Sequence, residues 1–213
     1  VARASRPTPD DAVALGRSGR LFSMRLGILH HYGWAVAVTA TADHAVVDRR
    51  RIELVGPDLP AAPIHHEGGV HEMHRSGPEL DDDALAALVA TVRDSALAVT
   101  ATSLEQLDDD VSGLIETISI RTWPRDFPID IATKLRPPYE ARADSVMYLR
   151  VLEHVAQQRG WAVHTFDAKT VEDEAVSILG DRADDVLYGP RTTLGPPWAK
   201  DHRIALAATV LID

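Results

Sequence analysis

Residues 33–55, GWAVAVTATADHAVVDRRRIELV, contain the pattern that decides the fold class. β-branched and apolar residues fill 34–41 and 45–55, and Ala42-Asp43-His44 between them is a turn signal. Two such runs around a short turn predict a β-hairpin. A third strand at 51–55 would extend the hairpin into a β-meander.

Helical and extended patterns alternate after this region. Apolar residues recur at helical spacing over 85–99, and 114–122, LIETISIRT, is rich in β-branched residues. A second long helix over 141–159 leads directly into a strand at 161–167, WAVHTFD. The last helix, 198–212, is apolar on nearly all sides, which is typical of a helix buried against a sheet.

The composition favours one globular domain. With 213 residues and 45% hydrophobic content, the chain can form a substantial core. Residues 1–23 are rich in Arg, Pro, Gly and Ser and are predicted to be a flexible arm, followed by a single domain over 24–213. The absence of cysteine excludes disulfides and thiolate metal sites, so His, Asp and Glu are the remaining metal ligands.

The charge of the chain bears on its partners. A formal net charge of -10 and a pI near 5.4 disfavour non-specific binding to nucleic acids. The run Arg49-Arg50-Arg51 is the best basic candidate, and such a run is usually a solvated strand edge. No apolar run approaches the roughly 20 residues that span a bilayer, so we expect a cytoplasmic protein without a membrane partner. An apolar edge strand or the last helix could support a homodimer.

The order of elements resembles the ribonuclease H-like fold, in which a β-meander and alternating helices and strands form a mixed β-sheet flanked by helices. The resemblance covers about residues 27–212. Several segments also resemble an actinobacterial protein family, and this second likeness implies no reaction. The segments are GWAVAVTA with VVDRRRIEL, IHHE, ADSVMYLRVLEHVAQQRGW and GPPWAKDHRIALAA.

The first resemblance implies a metal centre. Ribonuclease H-like nucleases, including RuvC-type resolvases, hold two magnesium ions with an Asp on the first strand, a Glu on the fourth and an acidic residue or His in the last helix. The resemblance implies Glu116 for the fourth strand and Asp201 or His202 for the last helix. The strand taken as the first, WAVAVTATA, contains no acid, and Asp43 lies beyond it in the turn. The implied two-metal centre is therefore incomplete.

The stretch IHHEGGVHEMHR, residues 64–75, contains four histidines and two glutamates. In an extended chain, His65 and Glu67 share one face while His66 points away. His65 and Glu67, with His71 or His74, are thus candidate ligands of a divalent metal, the one cofactor considered. A solvated loop, or a polar pocket in which His65, His66 and Glu67 bind an anion or substrate, are the alternatives.

Two helices carry further candidates. Asp144 and Tyr148 lie one turn apart on the second long helix, where a buried carboxyl beside a phenol could be a general base or form a structural hydrogen bond. Lys200, Asp201 and His202 crowd the first turn of the last helix. The free N–H groups of that turn could bind an anion or meet water.

These patterns favour a catalytically degenerate ribonuclease H-like protein that acts as a ligand-binding or protein-interaction module. The alternative is a metal-dependent hydrolase, a phosphodiesterase or nuclease, with a non-standard site of His65, Glu67, Glu116 and His202. That alternative requires these four residues to lie within one coordination shell. The candidate catalytic residues are Glu116, Asp144 and His202, the candidate metal ligands are His65 and Glu67, and the candidate ligand-binding residues are His65, His66, Glu67, Tyr148, Lys200 and Asp201.

Overall fold

Five strands form one mixed sheet in the computed structural model, which describes residues 22–68 and 77–212. The strand order is β3-β2-β1-β4-β5. β1, β2 and β3 form the antiparallel meander, and β4 and β5 extend the sheet in parallel with β1. The strands are β1 Ser23–His30, β2 Trp34–Thr41, β3 Val46–Glu53, β4 Leu114–Arg121 and β5 Ala162–Phe166.

The central strand β1 was not predicted. Its sequence SMRLGILH is buried from Leu26 to His30 without interruption, because helices cover both faces, and such a strand shows no alternation of polar and apolar residues. Its first residue, Ser23, falls inside the range predicted to be a flexible arm, while residues 1–21 of that range lie outside the described chain. The separate third strand predicted at 51–55 is wrong, since β3 is a single strand that ends at Glu53.

Seven helices are present in the described residues. The first, third and seventh correspond to the three long helices that the apolar spacing predicts, and alternation with β4 and β5 is confirmed. A short π-helical turn, Pro63–Gly68, and a 3₁₀ turn, Gly180–Arg182, complete the helical structure. The helices are α1 Asp82–Asp110, α2 Ile131–Lys134, α3 Glu140–Gln158, α4 Val171–Leu179, α5 Ala183–Leu187, α6 Pro190–Leu194 and α7 Lys200–Val210.

The sheet separates two layers of helices. Alternate residues of β1 face opposite sides, so Leu26 and Ile28 pack with α1 and α3 while Leu29 packs with α4 and α7. Gly27 lies under α7, where a Cβ would come within 1.8 Å of the Ala205 carbonyl oxygen. A glycine at this position therefore allows α7 to lie directly on the central strand.

The helix α1 is long and apolar enough to cross a membrane by length and composition, contrary to the expectation that no segment would be. It is the one such helix in the described residues. Its buried side chains form a stripe along one side that packs against the core, including Leu85, Val92, Ala96 and Leu104. Core helices of globular domains meet the same criteria, so α1 gives only weak support for a membrane span.

Candidate functional site

Polar side chains gather where β1 and β4 end. These two strands are parallel neighbours, so their carboxyl ends, at His30 and Arg121, lie at the same edge of the sheet. Open α/β sheets commonly bind ligands at such an edge. We call the group formed by His30, Tyr32, the turn Pro63–Gly68 and the start of α3 the carboxyl-end site.

His30 lies at the base of the carboxyl-end site and was not among the predicted site residues. Its side chain is 3% exposed, and its Nε2 forms a 2.8 Å hydrogen bond with the Ser145 hydroxyl of α3. Burial, followed by the positive charge of Arg121, lowers the pKa of His30 to about 3. The imidazole is therefore neutral at physiological pH, and its Nδ1 is buried without a hydrogen bond to any described residue.

His30 and Ser145 are in hydrogen-bond contact, as a general base and its nucleophile would be, but His30 lacks the basicity that such a pair requires. A general base works best with a pKa near the working pH, whereas that of His30 is about 3. No described carboxylate hydrogen-bonds Nδ1 to orient the ring and stabilise its protonated form. The pair is thus better suited to holding β1 against α3 than to activating the serine.

Asp144 links α3 to the histidine-rich segment. Its carboxyl is 1% exposed and accepts two backbone hydrogen bonds, from the N–H of Ile64 at 3.2 Å and from that of His65 at 2.8 Å. Burial raises the pKa of Asp144 to about 6, although the two N–H donors and Lys134 act in the opposite direction. The carboxyl therefore caps the turn that carries the two histidines.

Tyr148 anchors the same segment one helical turn later. Its hydroxyl donates a 2.8 Å hydrogen bond to the carbonyl oxygen of Ala61, and burial, with the nearby charge of Asp144, raises its pKa above the ordinary value. The two side chains do share a stripe of α3. Both side chains bind the backbone of 61–65. These contacts are structural hydrogen bonds, the alternative to a general base that the sequence left open.

The segment 63–68 is helical, so the extended chain in which His65 and Glu67 would share one face is not formed. A π-helix advances its side chains by less than 90° per residue, and the rings of His65 and His66 accordingly lie 5.3 Å apart rather than on opposite sides. Tyr32 packs against both, with centroid distances of 6.0 Å to His65 and 6.5 Å to His66. Glu67 is buried. The second half of the motif, including His71 and His74, lies outside the described residues.

Glu116 lies at the other end of β4. Its position is five residues before Arg121, which corresponds to about 17 Å along a strand. The Ser23 hydroxyl at the start of β1 donates a 2.5 Å hydrogen bond to the Glu116 carboxylate. Asp43, in the turn after β2, lies near this same end, because Thr41 pairs with Met24. Neither carboxylate can therefore join a ligand set at the carboxyl-end site.

The start of α7 is occupied by its own polar contacts. Asp201 accepts a 3.0 Å hydrogen bond from Nε2 of His31, whose ring stacks on Trp34 at 4.2 Å. The Nδ1 of His202 accepts a 3.3 Å hydrogen bond from the N–H of Ala199, and burial followed by Arg49 lowers its pKa. Lys200 is exposed. A carboxylate and a capping imidazole at this helix start disfavour the anion site that was predicted there.

The three arginines of β3 are each engaged within the protein. Arg49 donates to carbonyl oxygens of the loop before α7, including those of Leu194 at 2.9 Å and Gly195 at 2.8 Å. Arg50 bridges Asp48 and Asp110. Arg51 pairs with Glu53 and lies over the Trp34 ring. These contacts agree with a solvated strand edge.

The donors at the carboxyl-end site do not fit the two magnesium ions that the resemblance implies. The true first strand, SMRLGILH, contains no Asp or Glu. Arg121 places a cation at the end of β4, and both oxygens of Asp144 already accept backbone N–H groups. Magnesium requires several oxygen ligands in near-octahedral geometry. Within residues 22–68 and 77–212, no three His, Asp or Glu side chains are grouped to hold a metal.

The fold is similar to that of RuvC. The structure of T. thermophilus RuvC in complex with a Holliday junction substrate matches with a TM-score of 0.50 and 10% identity, over 88% of this chain and 90% of the RuvC chain. A second Thermus thermophilus RuvC structure matches with a TM-score of 0.43 and 10% identity, over 88% and 91% of the two chains. No family model and no curated protein matches this chain.

This is a ribonuclease H-like fold. The five-stranded mixed sheet with flanking helices, shared with RuvC, confirms the predicted fold class. The resemblance to an actinobacterial family stays a prediction. His30, Tyr32, Ser145 and Arg121 escaped the sequence reasoning because β1 itself was missed, and the one available signal was a histidine pair directly after the apolar run LGIL.

Proposed function

We propose that this protein is a ribonuclease H-like domain that does not cleave phosphodiesters and acts as a cytoplasmic binding module. The observation that supports the proposal is the composition of the carboxyl-end site. A neutral buried histidine and an arginine terminate the two central strands, and the most deeply buried carboxyl nearby, Asp144, accepts two backbone N–H groups.

Electrostatics support the same proposal. Two-metal catalysis needs carboxylates that neutralise both ions and hold them close together. Here burial has the largest effect on the pKa values of His30 and Tyr32, and the positive charge of Arg121 acts to lower both, so this cation acts at the same edge of the sheet. It would also repel a metal ion there. The net charge of -10 further disfavours a DNA backbone as the bound partner.

Cleavage of a synthetic four-way DNA junction tests the proposal directly, because T. thermophilus RuvC has been crystallised with a Holliday junction substrate. The purified protein is incubated with the labelled junction and with linear duplex, in magnesium and in manganese. We expect no products above those formed with metal alone. We also expect no retention of the junction in a gel at physiological salt.

Metal binding gives a second, independent measurement. Elemental analysis and titration with Mn²⁺ are carried out on the wild type and on the His65→Ala/Glu67→Ala double variant. We expect neither protein to hold a stoichiometric ion. Stoichiometric metal in the wild type that is lost in the variant would contradict the proposal and favour the metal-dependent hydrolase alternative instead.

A matched pair of variants decides the origin of any cleavage. Glu116→Gln removes the carboxylate that the resemblance assigns to catalysis, and Glu105→Gln makes the same change at an exposed position of α1. Junction cleavage that disappears in Glu116→Gln and persists in Glu105→Gln would overturn the proposal. Equal behaviour of the two variants is expected.

A further inference from the structure

A groove lies between α1 and α3, beside the turn that Asp144 caps, and Ile64 of that turn is one of its lining residues. Its volume is about 520 Å³, and the connection around Phe127–Lys134 forms its third wall. Pockets for small organic ligands have about 300–1,000 Å³. We call this space the α1/α3 groove. Most of its lining is apolar, including Val89 and Leu97 of α1 and Met147 and Val151 of α3.

The charged groups that line the groove have one sign. Arg93 of α1, Lys134 of α2 and Arg150 of α3 contribute cations from three different elements, and His154 adds an imidazole. No Asp or Glu is among the described lining residues. In a chain whose net charge is -10, three cations around an apolar cleft form a local exception.

The contacts of these cations leave charge available to a ligand. Among the described residues, Arg93 pairs with its neighbour Asp94 alone, at 3.0 Å, and both side chains are more than half exposed, so this pair is weak. Arg150 donates to the carbonyl oxygen of Phe127 at 2.9 Å, which fixes the wall and neutralises no charge. Lys134 forms no salt bridge with a described residue.

The surroundings of Lys134 favour an added anion. Burial, together with Arg150 and Arg93, lowers the pKa of Lys134, while Asp130 and Asp144 raise it less. The ammonium is thus held in a half-buried place where cations outweigh carboxylates. An anionic group at this position would offset the repulsion and accept charge-assisted hydrogen bonds.

We propose that the α1/α3 groove binds an amphipathic anion, with an apolar chain along Val89, Leu97, Met147 and Val151 and a carboxylate head at Lys134 and Arg93. The inference rests on the proposal that the chain is a binding module and names the class of its ligand. The apolar lining supplies affinity through burial of the chain, and the cations select the sign of the head group.

Titration calorimetry with dodecanoate, kept below its micelle-forming concentration, tests this inference on the full chain. We expect saturable binding near one equivalent. Dodecyltrimethylammonium has the same chain with a cationic head and should bind at least roughly tenfold more weakly, since its head cannot accept the charge-assisted hydrogen bonds that a carboxylate accepts. Acetate, which has the head without the chain, should not bind measurably.

A charge reversal provides the decisive variant. Lys134→Glu should weaken dodecanoate roughly tenfold and strengthen dodecyltrimethylammonium, because the sign of the head-group site is inverted. Lys169→Glu makes the same change at an exposed residue outside the groove and should leave both affinities unchanged. Ala90→Trp, at an exposed lining position, should block both ligands without disturbing the fold.

The outcomes separate this inference from the proposed function. No binding of dodecanoate to the wild type, or equal binding of the two amphiphiles, overturns the groove assignment while the cleavage and metal results still stand. Binding that Lys134→Glu and Ala90→Trp leave unchanged also overturns it. A concentration-dependent dimer in sedimentation that Ala90→Trp abolishes, without binding of dodecanoate, assigns the groove to a second copy of the chain and overturns the inference too.

Discussion

The carboxyl-end site and the α1/α3 groove lie in the same helical layer and share α3, but they use polar side chains differently. At the carboxyl-end site, Asp144 and Tyr148 form hydrogen bonds with the backbone of 61–65. In the groove, Lys134 makes no ion pair with the described residues, and apolar walls surround it. The first arrangement stabilises the fold, and the second leaves binding capacity for a ligand.

The comparison shows that buried polarity is not in itself a sign of catalysis. A carboxyl that is 1% exposed with a raised pKa would, by itself, suggest a general base. The partners of Asp144 indicate a structural role instead, because its two oxygens accept hydrogen bonds from two backbone N–H groups. Changes at the carboxyl-end site should therefore alter stability, and changes in the groove should alter binding.

Asp144→Ala should have the largest effect on stability. The substitution leaves two backbone N–H groups of the turn 63–68 without their acceptor in the interior, at about 1–3 kcal/mol each, so we expect a loss of about 3–4 kcal/mol. Urea denaturation followed by circular dichroism measures it. A loss below about 1 kcal/mol would show that the capping contact is not important for the fold.

The pH dependence of stability should reveal the same carboxyl. Because folding raises the pKa of Asp144 from 3.8 to about 6, the folded state binds the proton more tightly, and this contribution is present below pH 3.8 and lost as pH rises through 6. Between these two pH limits, this group lowers the free energy of unfolding by about 3 kcal/mol. Asp144→Asn removes this loss, so its stability relative to the wild type should improve from pH 4 to pH 7.

His30 changes the pH dependence of stability in the opposite direction. The variant Asp144→Asn is therefore needed to separate the two contributions. Folding lowers its pKa from 6.5 to about 3, so its contribution is present above pH 6.5 and lost as pH falls towards 3. In the wild type the two slopes offset each other between about pH 4 and 6. The free energy of unfolding of Asp144→Asn, measured by urea denaturation, should therefore rise more steeply with pH in this range than that of the wild type. The same slope for both proteins would contradict the two assigned pKa shifts.

Tyr148→Phe should have a smaller effect. It removes one hydroxyl and leaves the carbonyl of Ala61 without a donor, while the ring keeps its packing, so we expect a loss of about 1–2 kcal/mol. Thermal unfolding measures the change. Binding of dodecanoate should stay as in the wild type, since Tyr148 is not a lining residue of the groove.

Lys134→Glu should have the smallest effect on stability, within about 0.5 kcal/mol, as expected of a partly exposed side chain without an ion pair to a described residue. The same substitution carries the large change in ligand affinity. The two regions would lose their contrast if this variant unfolded as readily as Asp144→Ala.

Local patterns predicted most of the fold. The apolar spacing of α1, α3 and α7 and the β-rich runs of β2, β4 and β5 were sufficient to place these elements. The missing strand β1 is the exception, because its continuous burial resembles no periodic pattern. The same omission hid His30 and made the meander appear to begin one strand later.

The candidate site was less predictable for a geometric reason. Sequence spacing placed Asp144 and Tyr148 on one stripe of α3, but the segment that they hold lies about 80 positions earlier in the chain. Glu116 was assigned to the correct strand. Its distance from the carboxyl-end site follows from its position along β4, and that could be recognised only once the direction and register of β1 were known.

The sequence by itself determined the class of the protein: its alternating elements, its acidic charge and its lack of cysteine. Tertiary structure alone decided that β1 ends in a buried histidine, that Asp144 caps a π-helical turn, and that cations from three helices surround one apolar groove. The physical reason is that periodicity records which face of an element is buried, whereas the meeting of distant side chains depends on strand order and helix packing.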